Sequence, residues 1–182
     1  MCRIYDVADF FIDYALDDDE NHMTNMRINK LMYFAQGWSL ARTGKPLFND
    51  DFQAWPHGPV APAVYHKFKY AGSSKIKRLI DDNYADNITG DEQRLLLDVI
   101  REYDQYSTSG LVVLSHKQDS PWDKAIKRGK GTKIEKNDMM NYFKTMPELK
   151  SFTMPKFTEC DFVGHRDVTT GNYVLPKDWS DD

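Results

Sequence analysis

The segment Pro56-His57-Gly58-Pro59 restricts the backbone more than any other part of this 182-residue chain. Proline fixes its own φ and pushes the residue before it out of the helical region. Residues 55 and 58 are therefore kept out of the helical region, and the stretch must be a fixed bend between two elements. Asp51 to Trp55 on its N-terminal side reads as a short strand. On the other side Pro62 suits the first turn of a helix, which runs to Gly72 with Val64, Tyr65 and Phe68 as its apolar stripe.

Helical periodicity dominates the rest. Val7, Phe10, Phe11 and Tyr14 share one face, and the acidic run Asp17 to Glu20 that follows reads as a loop. From about Asn25 to Thr43, Ile28, Leu31, Met32, Ala35, Trp38 and Ser39 keep the same period, and Gly44 with Pro46 supplies the stop. Thr89-Gly90-Asp91-Glu92 is a capping box opening a helix that carries Leu95, Leu96, Val99, Ile100, Tyr103 and Tyr106. Gly110 to His116 is a shorter apolar piece. Ser120-Pro121 starts another helix, Thr132 to Glu135 suits a short strand, and Asn137 suits the cap of a helix through Phe143. Beyond Pro147 the pattern turns to patchy alternation around Phe157, Glu159, Asp161 and Val163. A Thr170-Gly171-Asn172 turn signal precedes Tyr173-Val174-Leu175. These readings predict a mainly α (α+β) fold of about six helices with a small sheet or hairpin. The expected division is a helical domain over residues 1–146 and an extension over 147–182, a β-hairpin or packed tail.

Charge and composition exclude several classes. With 24 Lys and Arg against 28 Asp and Glu, the net charge of -4 argues against nucleic acid as the main ligand. The basic run from Lys124 to Lys136 reads as a solvated face beside a glycine-rich turn. No apolar window is long enough to span a bilayer, and the N-terminus lacks a signal-peptide run. Two cysteines, Cys2 and Cys160, form neither a disulfide framework nor a metal motif. Reducing cytoplasm is the expected compartment.

Nothing commits to a reaction. The histidines His22, His57, His66, His116 and His165 include no helical zinc pair, and no cofactor or metal is expected. A hydrolase or transferase using His57, His116 or Cys160 stays open as an alternative, decided by whether two of them meet in a pocket. Trp55 reads as a core plug, with His57 capping a carbonyl or the helix near Pro62. The alternative is a rigid turn that shows both groups to a partner. Lys30 lies off the apolar stripe and reads as a surface lysine, free to pair with an acid or line a groove. The aromatic share of 13% allows either a padded core or an exposed contact patch.

Three strings in order resemble a known family. Ile28-Asn29-Lys30-Leu31-Met32-Tyr33-Phe34-Ala35-Gln36-Gly37-Trp38 is the first, and Phe52 to Val60 with Tyr65 is the second. Ser115-His116 followed by Ser120-Pro121-Trp122-Asp123-Lys124-Ala125 is the third. Together they resemble the SocA-like, or Panacea, antitoxin domain over about residues 5 to 145, while residues 147–182 match nothing nameable. The resemblance implies a non-enzymatic antitoxin whose partner is a cognate toxin protein, neutralised by direct binding. Delivery of the toxin to a protease, with the chain as adaptor, is the other described mode. Members partner with very different toxins, so the toxin's identity does not carry over. Lys30, Tyr33, Trp38, Trp55, His57, Gly58, Pro59, Tyr65 and Trp122 are the candidate motif or partner-binding residues, and no catalytic residue is implied. A phage or mobile-element protein binding a host factor remains the rival reading.

Overall fold

The computed structural model describes residues 2–14, 23–77 and 84–150 in full, and the strands at 165–166 and 173–174 as backbone. Seven helices are described: α1 (Ile4–Tyr14), α2 (Asn25–Thr43), α3 (Pro62–Phe68), α4 (Gly90–Tyr103), α5 (Thr108–Ser115), α6 (Pro121–Arg128) and α7 (Lys136–Lys144). Strands β1 (Phe52–Trp55), β2 (Gly58–Val60) and β3 (Lys133–Ile134) form one antiparallel sheet in the order β2-β1-β3. β4 (His165–Arg166) and β5 (Tyr173–Val174) pair antiparallel with each other. The chain divides into two compact units, residues 1–152 and 153–182. The first is a mainly helical body with a small sheet, as the periodicity predicts. Among the described residues no helix is long and apolar enough to cross a membrane.

The body is organised around α2. Thr24 caps its start by accepting from the Arg27 amide, and Gly44, at φ 71°, closes its end with its amide on the Leu40 carbonyl. Helices α1, α3, α4, α5 and α7 and strand β2 all pack against it. Every residue from Arg27 to Leu40 is consequently buried. A helix enclosed on all sides needs partners for each polar side chain it carries. Gln36 supplies them for a loop: its amide nitrogen donates to the Phe48 carbonyl at 2.9 Å, and its oxygen accepts from the Leu47 and Phe48 amides. Arg27 donates to the Tyr106 carbonyl (2.7 Å) and to the Asp104 carboxylate (2.9 Å), which pins the turn after α4. Ser39 donates to the Lys45 carbonyl.

Aromatic rings fill the space on the α7 side. Tyr33, Phe34 and Trp38 of α2 all meet Phe143 edge-on, at centroid distances of 5.7, 6.2 and 5.6 Å. Phe34 stacks on Tyr103 at 4.0 Å, and the Trp38 indole N–H donates to the Tyr103 hydroxyl at 3.0 Å. The Tyr33 hydroxyl is buried with no hydrogen-bond partner among the described residues, and burial holds its pKa well above the ordinary tyrosine range.

Several expectations shift by a turn or a residue. The capping box at Thr89 and Glu92 is formed, but α4 ends at Tyr103, because Tyr106 folds back as part of the turn that Arg27 holds. Gly110 to Ser115 is part of a full helix, α5, capped by the Ser107 hydroxyl on the Gly110 amide, and His116 is its C-cap. Asn137 is not a cap: Glu135 occupies that position without a side-chain bond, and Asn137 lies inside α7. The expected strand at 132–135 adds to the edge of β1 as β3. The acidic run 17–20, the Phe157–Val163 stretch and the Thr170–Asn172 turn signal lie outside the described residues. In the basic run, Lys127 pairs with Asp123, and Lys133 and Lys136 both pair with Asp51, as on a solvated surface.

Gly37 sets the approach of α7 to α2. A Cβ there would lie 2.5 Å from Cδ2 and Cζ of the fully buried Phe143 ring, which has no room to retreat. Overpacking costs about 1–3 kcal/mol and outweighs the roughly 1 kcal/mol that alanine gains over glycine in a helix. Gly37→Ala should therefore lower the thermal midpoint by several degrees. An unchanged or raised midpoint would show that the ring is not tightly held.

Candidate partner-binding site around the β1–β2 hairpin

Strand β1 alternates, with Phe52 and Ala54 facing the core and Gln53 and Trp55 facing outward. The turn Pro56-His57 joins it to β2, with Trp55 opposite Gly58 and Ala54 opposite Pro59. Gly58 adopts φ 105°, a region that disfavours any side chain. Space forbids one as well, because a Cβ would lie 2.6 Å from Lys30 Cε and 2.9 Å from Ser115 Oγ. The glycine is thus where the hairpin backbone comes down onto the central helix.

Lys30 sits under that contact. It is 1% exposed, and its ammonium donates to the Pro59 carbonyl at 3.1 Å. No carboxylate pairs with it among the described residues, and burial alone lowers its pKa to about 7. The expectation of a surface lysine is therefore corrected. Lys30 is off the apolar stripe, but α2 is covered on that face too, by the hairpin and α5. Immediately before it, Asn29 accepts from the Ala61 amide at 2.9 Å and donates to the Asn25 carbonyl. Asn25 in turn donates to the Tyr65 carbonyl at 3.0 Å. α2 thus holds the hairpin and the start of α3 by three polar side chains.

The outer layer is aromatic. Trp55 is half-buried rather than a core plug, since β1 alternation turns it outward. Its ring meets Tyr65 of α3 edge-on at 4.8 Å, and its indole N–H donates to Gln53 Oε1. Its backbone carbonyl accepts from the Trp122 indole N–H at 2.9 Å, which ties the first turn of α6 to the hairpin. The His116 ring centroid lies 3.7 Å from that of Trp122, with Nε2 buried and without a partner among the described residues. Burial, Lys30 and His57 together lower the His116 pKa. His57 is exposed at the turn and makes no hydrogen bond among the described residues, so the expected capping role is absent.

The candidate residues therefore fall into two groups. Lys30, Trp55, His57, Gly58, Pro59, Tyr65 and Trp122 gather at the hairpin, the first of them sealed beneath it. Tyr33 and Trp38 lie in the aromatic core against Phe143. The aromatic share divides between the two readings: Tyr33 and Tyr103 are core, Tyr65 and Tyr106 are half-buried, and Tyr5, Tyr14 and Tyr70 are exposed. Cys160 and His165 lie where no side chain is described, so a thiol–imidazole pair gains no support from geometry. A cleft of about 580 Å³ opens between the end of α2 and the start of α4, lined by residues such as Arg42, Lys45, Thr89 and Glu92; no hairpin residue lines it.

Relatives place this arrangement. The family model described as "Antitoxin SocA-like, Panacea domain" matches residues 28–123, from the middle of the first turns of α2 to the first turn of α6. The chain belongs to the SocA-like Panacea antitoxin family. One relative, Antitoxin SocA of Caulobacter vibrioides (strain NA1000 / CB15N), is 35% identical over 141 residues, covering 70% of this chain and 72% of its own. No solved structure gives a significant match. The matched span holds the whole hairpin together with Lys30, Ser115, His116 and Trp122, so the family's shared region is the one that builds this site.

The buried lysine gives a measurable signature. In the unfolded chain Lys30 would titrate near ~10.4, but in the fold it titrates at about 7. Between those values the unfolded chain holds the extra proton, so stability rises with pH. From about pH 7 to about pH 8.5 the wild type should gain roughly 1–2 kcal/mol relative to Lys30→Met in denaturant titrations. Parallel stability profiles for the two proteins would mean that the ammonium is solvated.

Proposed function

We propose that this chain is an antitoxin that neutralises a cognate protein toxin by binding it directly, with the β1–β2 hairpin and its aromatic neighbours as the contact surface. The observation that carries the antitoxin reading is the 35% identity to Antitoxin SocA across 70% of the chain. The contact surface is argued from physics. Trp55, His57 and Tyr65 stand on a backbone fixed from below, and half-exposed aromatic groups on a rigid frame bind with little loss of conformational entropy. The contact requires no catalysis. In this reading the unit after residue 152 is an appendage to the neutralising domain.

Co-expression with the product of the adjacent gene tests it. A product toxic alone should become harmless with this chain and should co-purify with it in stoichiometric amounts. Rescue that persists in a protease-deficient host separates direct neutralisation from delivery to a protease. Continued toxicity, with no complex recovered, would refute the reading.

The surface has its own test. Trp55→Ala should weaken the complex by at least about 30-fold, as expected for a hot-spot tryptophan worth about 2 kcal/mol. Its thermal midpoint should fall only slightly, because the side chain faces outward. A large loss of stability with unchanged affinity would return Trp55 to a purely structural role.

A further inference from the structure

The hairpin site holds a buried lysine with no answering carboxylate among the described residues. Lys30 lies beneath Gly58 and Pro59 with a single backbone acceptor and spare ammonium protons. His116, on the turn after α5, follows Ser115, which meets the same Gly58 position as Lys30, and its Nε2 is enclosed with no hydrogen-bond partner among the described residues. His57 stands exposed at the hairpin tip, and the electrostatic influences on His116 from other side chains are those of Lys30 and His57. The Ser115 hydroxyl is committed to the Val112 carbonyl at 2.8 Å. The acids on the neighbouring turn and helix do not neutralise the cluster. Asp123 of α6 is engaged by Lys127 and by the Asp119 amide, and Asp119 itself is exposed. The remaining charged groups of that turn, Lys117 and Lys124, are cationic and exposed. Below about pH 7, where Lys30 is charged, the local field is therefore positive in a chain whose net charge is -4.

We propose that the His57–His116 rim above Lys30 is a carboxylate-binding subsite, and that an Asp or Glu side chain of the partner protein docks there. A buried cation without a counter-ion is costly, and an incoming anion that supplies one is correspondingly favoured. His57, exposed at the turn, makes the contact, and Lys30 and His116, whose Nε2 is enclosed, act through their field as positioning residues. Trp122 backs the His116 ring. Docking draws a proton onto His116, so binding tightens as pH falls towards 6, while the carboxylate stays ionised at its ordinary ~4. This subsite deepens the antitoxin reading and rests on it only for the identity of the partner.

Two measurements separate the subsite from that reading. In the first, ring resonances of His57 and His116 in the intact chain are followed as sodium acetate replaces sodium chloride at constant ionic strength. Saturable shifts are expected, with the His116 pKa rising by about half a unit or more at saturation. His57→Ala should weaken the acetate response several-fold. Lys30→Met should raise the His116 pKa in acetate-free buffer and also weaken the response, which a purely structural role for Lys30 would not do. Shifts that grow linearly without saturation, or saturation with inorganic phosphate but not with acetate, would overturn the proposal. In the second, affinity for the co-purified toxin is measured from about pH 6 to about pH 8, with a loss of about tenfold expected over that range. Full neutralisation with pH-independent affinity, unchanged in His57→Ala, would overturn the subsite and leave the antitoxin reading standing. Acetate binding in a chain that neutralises no toxin would keep the subsite and remove the reading.

Discussion

Enclosure of α2 on every side is the constraint from which most of the body follows. A helix that faces solvent can spend its polar residues on water, and a fully buried one cannot. In α2 each of Arg27, Asn29, Lys30, Gln36 and Ser39 bonds backbone, and for all but Asn29's donor bond that backbone belongs to another segment. The turn after α4, the start of α3, the β2 strand and the 45–48 loop are thereby fixed to one rod. Apolar packing alone specifies how much is buried, whereas these bonds specify which loop goes where. That is the kind of contribution through which buried polar groups favour one arrangement over near alternatives.

Lys30 is the member of this set whose bonding is least complete. Arg27 has an acid and Gln36 satisfies both ends of its amide, yet Lys30 has one carbonyl. Burial lowers its pKa to about 7. Near neutral pH the fold therefore tolerates a partly neutral ammonium rather than neutralising it with a carboxylate. Gly58 makes the arrangement sterically feasible by letting the backbone descend to the lysine. The Pro59 carbonyl, supplied by a residue with no amide hydrogen, faces inward to meet it.

The sequence made the helices legible because their signals are local: 3.6-residue periodicity, the Thr89 capping box, Ser120-Pro121 and the Gly44 stop all act within one turn. The bend at Pro56–Pro59 was legible for the same reason. Burial of Lys30 was not read, although a signal existed. Tyr33 and Phe34 lie off the stripe of Ile28, Leu31, Met32 and Trp38, so α2 carries large apolar groups nearly all round, and such helices are enclosed. Once the helix is taken as enclosed, Lys30 must be buried. What local pattern cannot supply is partnership across long separations. Trp122 with the Trp55 carbonyl and Ser115 with Gly58 depend on packing of segments some sixty residues apart. The orientation of Trp55 was decided by strand alternation, a two-residue period too short to be secure in a four-residue strand.

The hairpin's backbone is held by groups other than its outward side chains. Lys30 takes the Pro59 carbonyl, Trp122 takes the Trp55 carbonyl, and the 129–132 turn supplies Gly131 N–H to the Ala54 carbonyl and a Thr132 carbonyl to the Ala54 amide. Trp55, His57 and Tyr65 can therefore be exchanged with little effect on the position of the backbone beneath them, since none of these bonds uses their side chains. A surface of this kind separates the requirements of folding from those of recognition. The residues that hold the frame lie below it, and those that would meet a partner lie above. Partner specificity on such a frame can change by substitution at the outer layer alone, while the inner lysine keeps a common preference for negative charge at its centre.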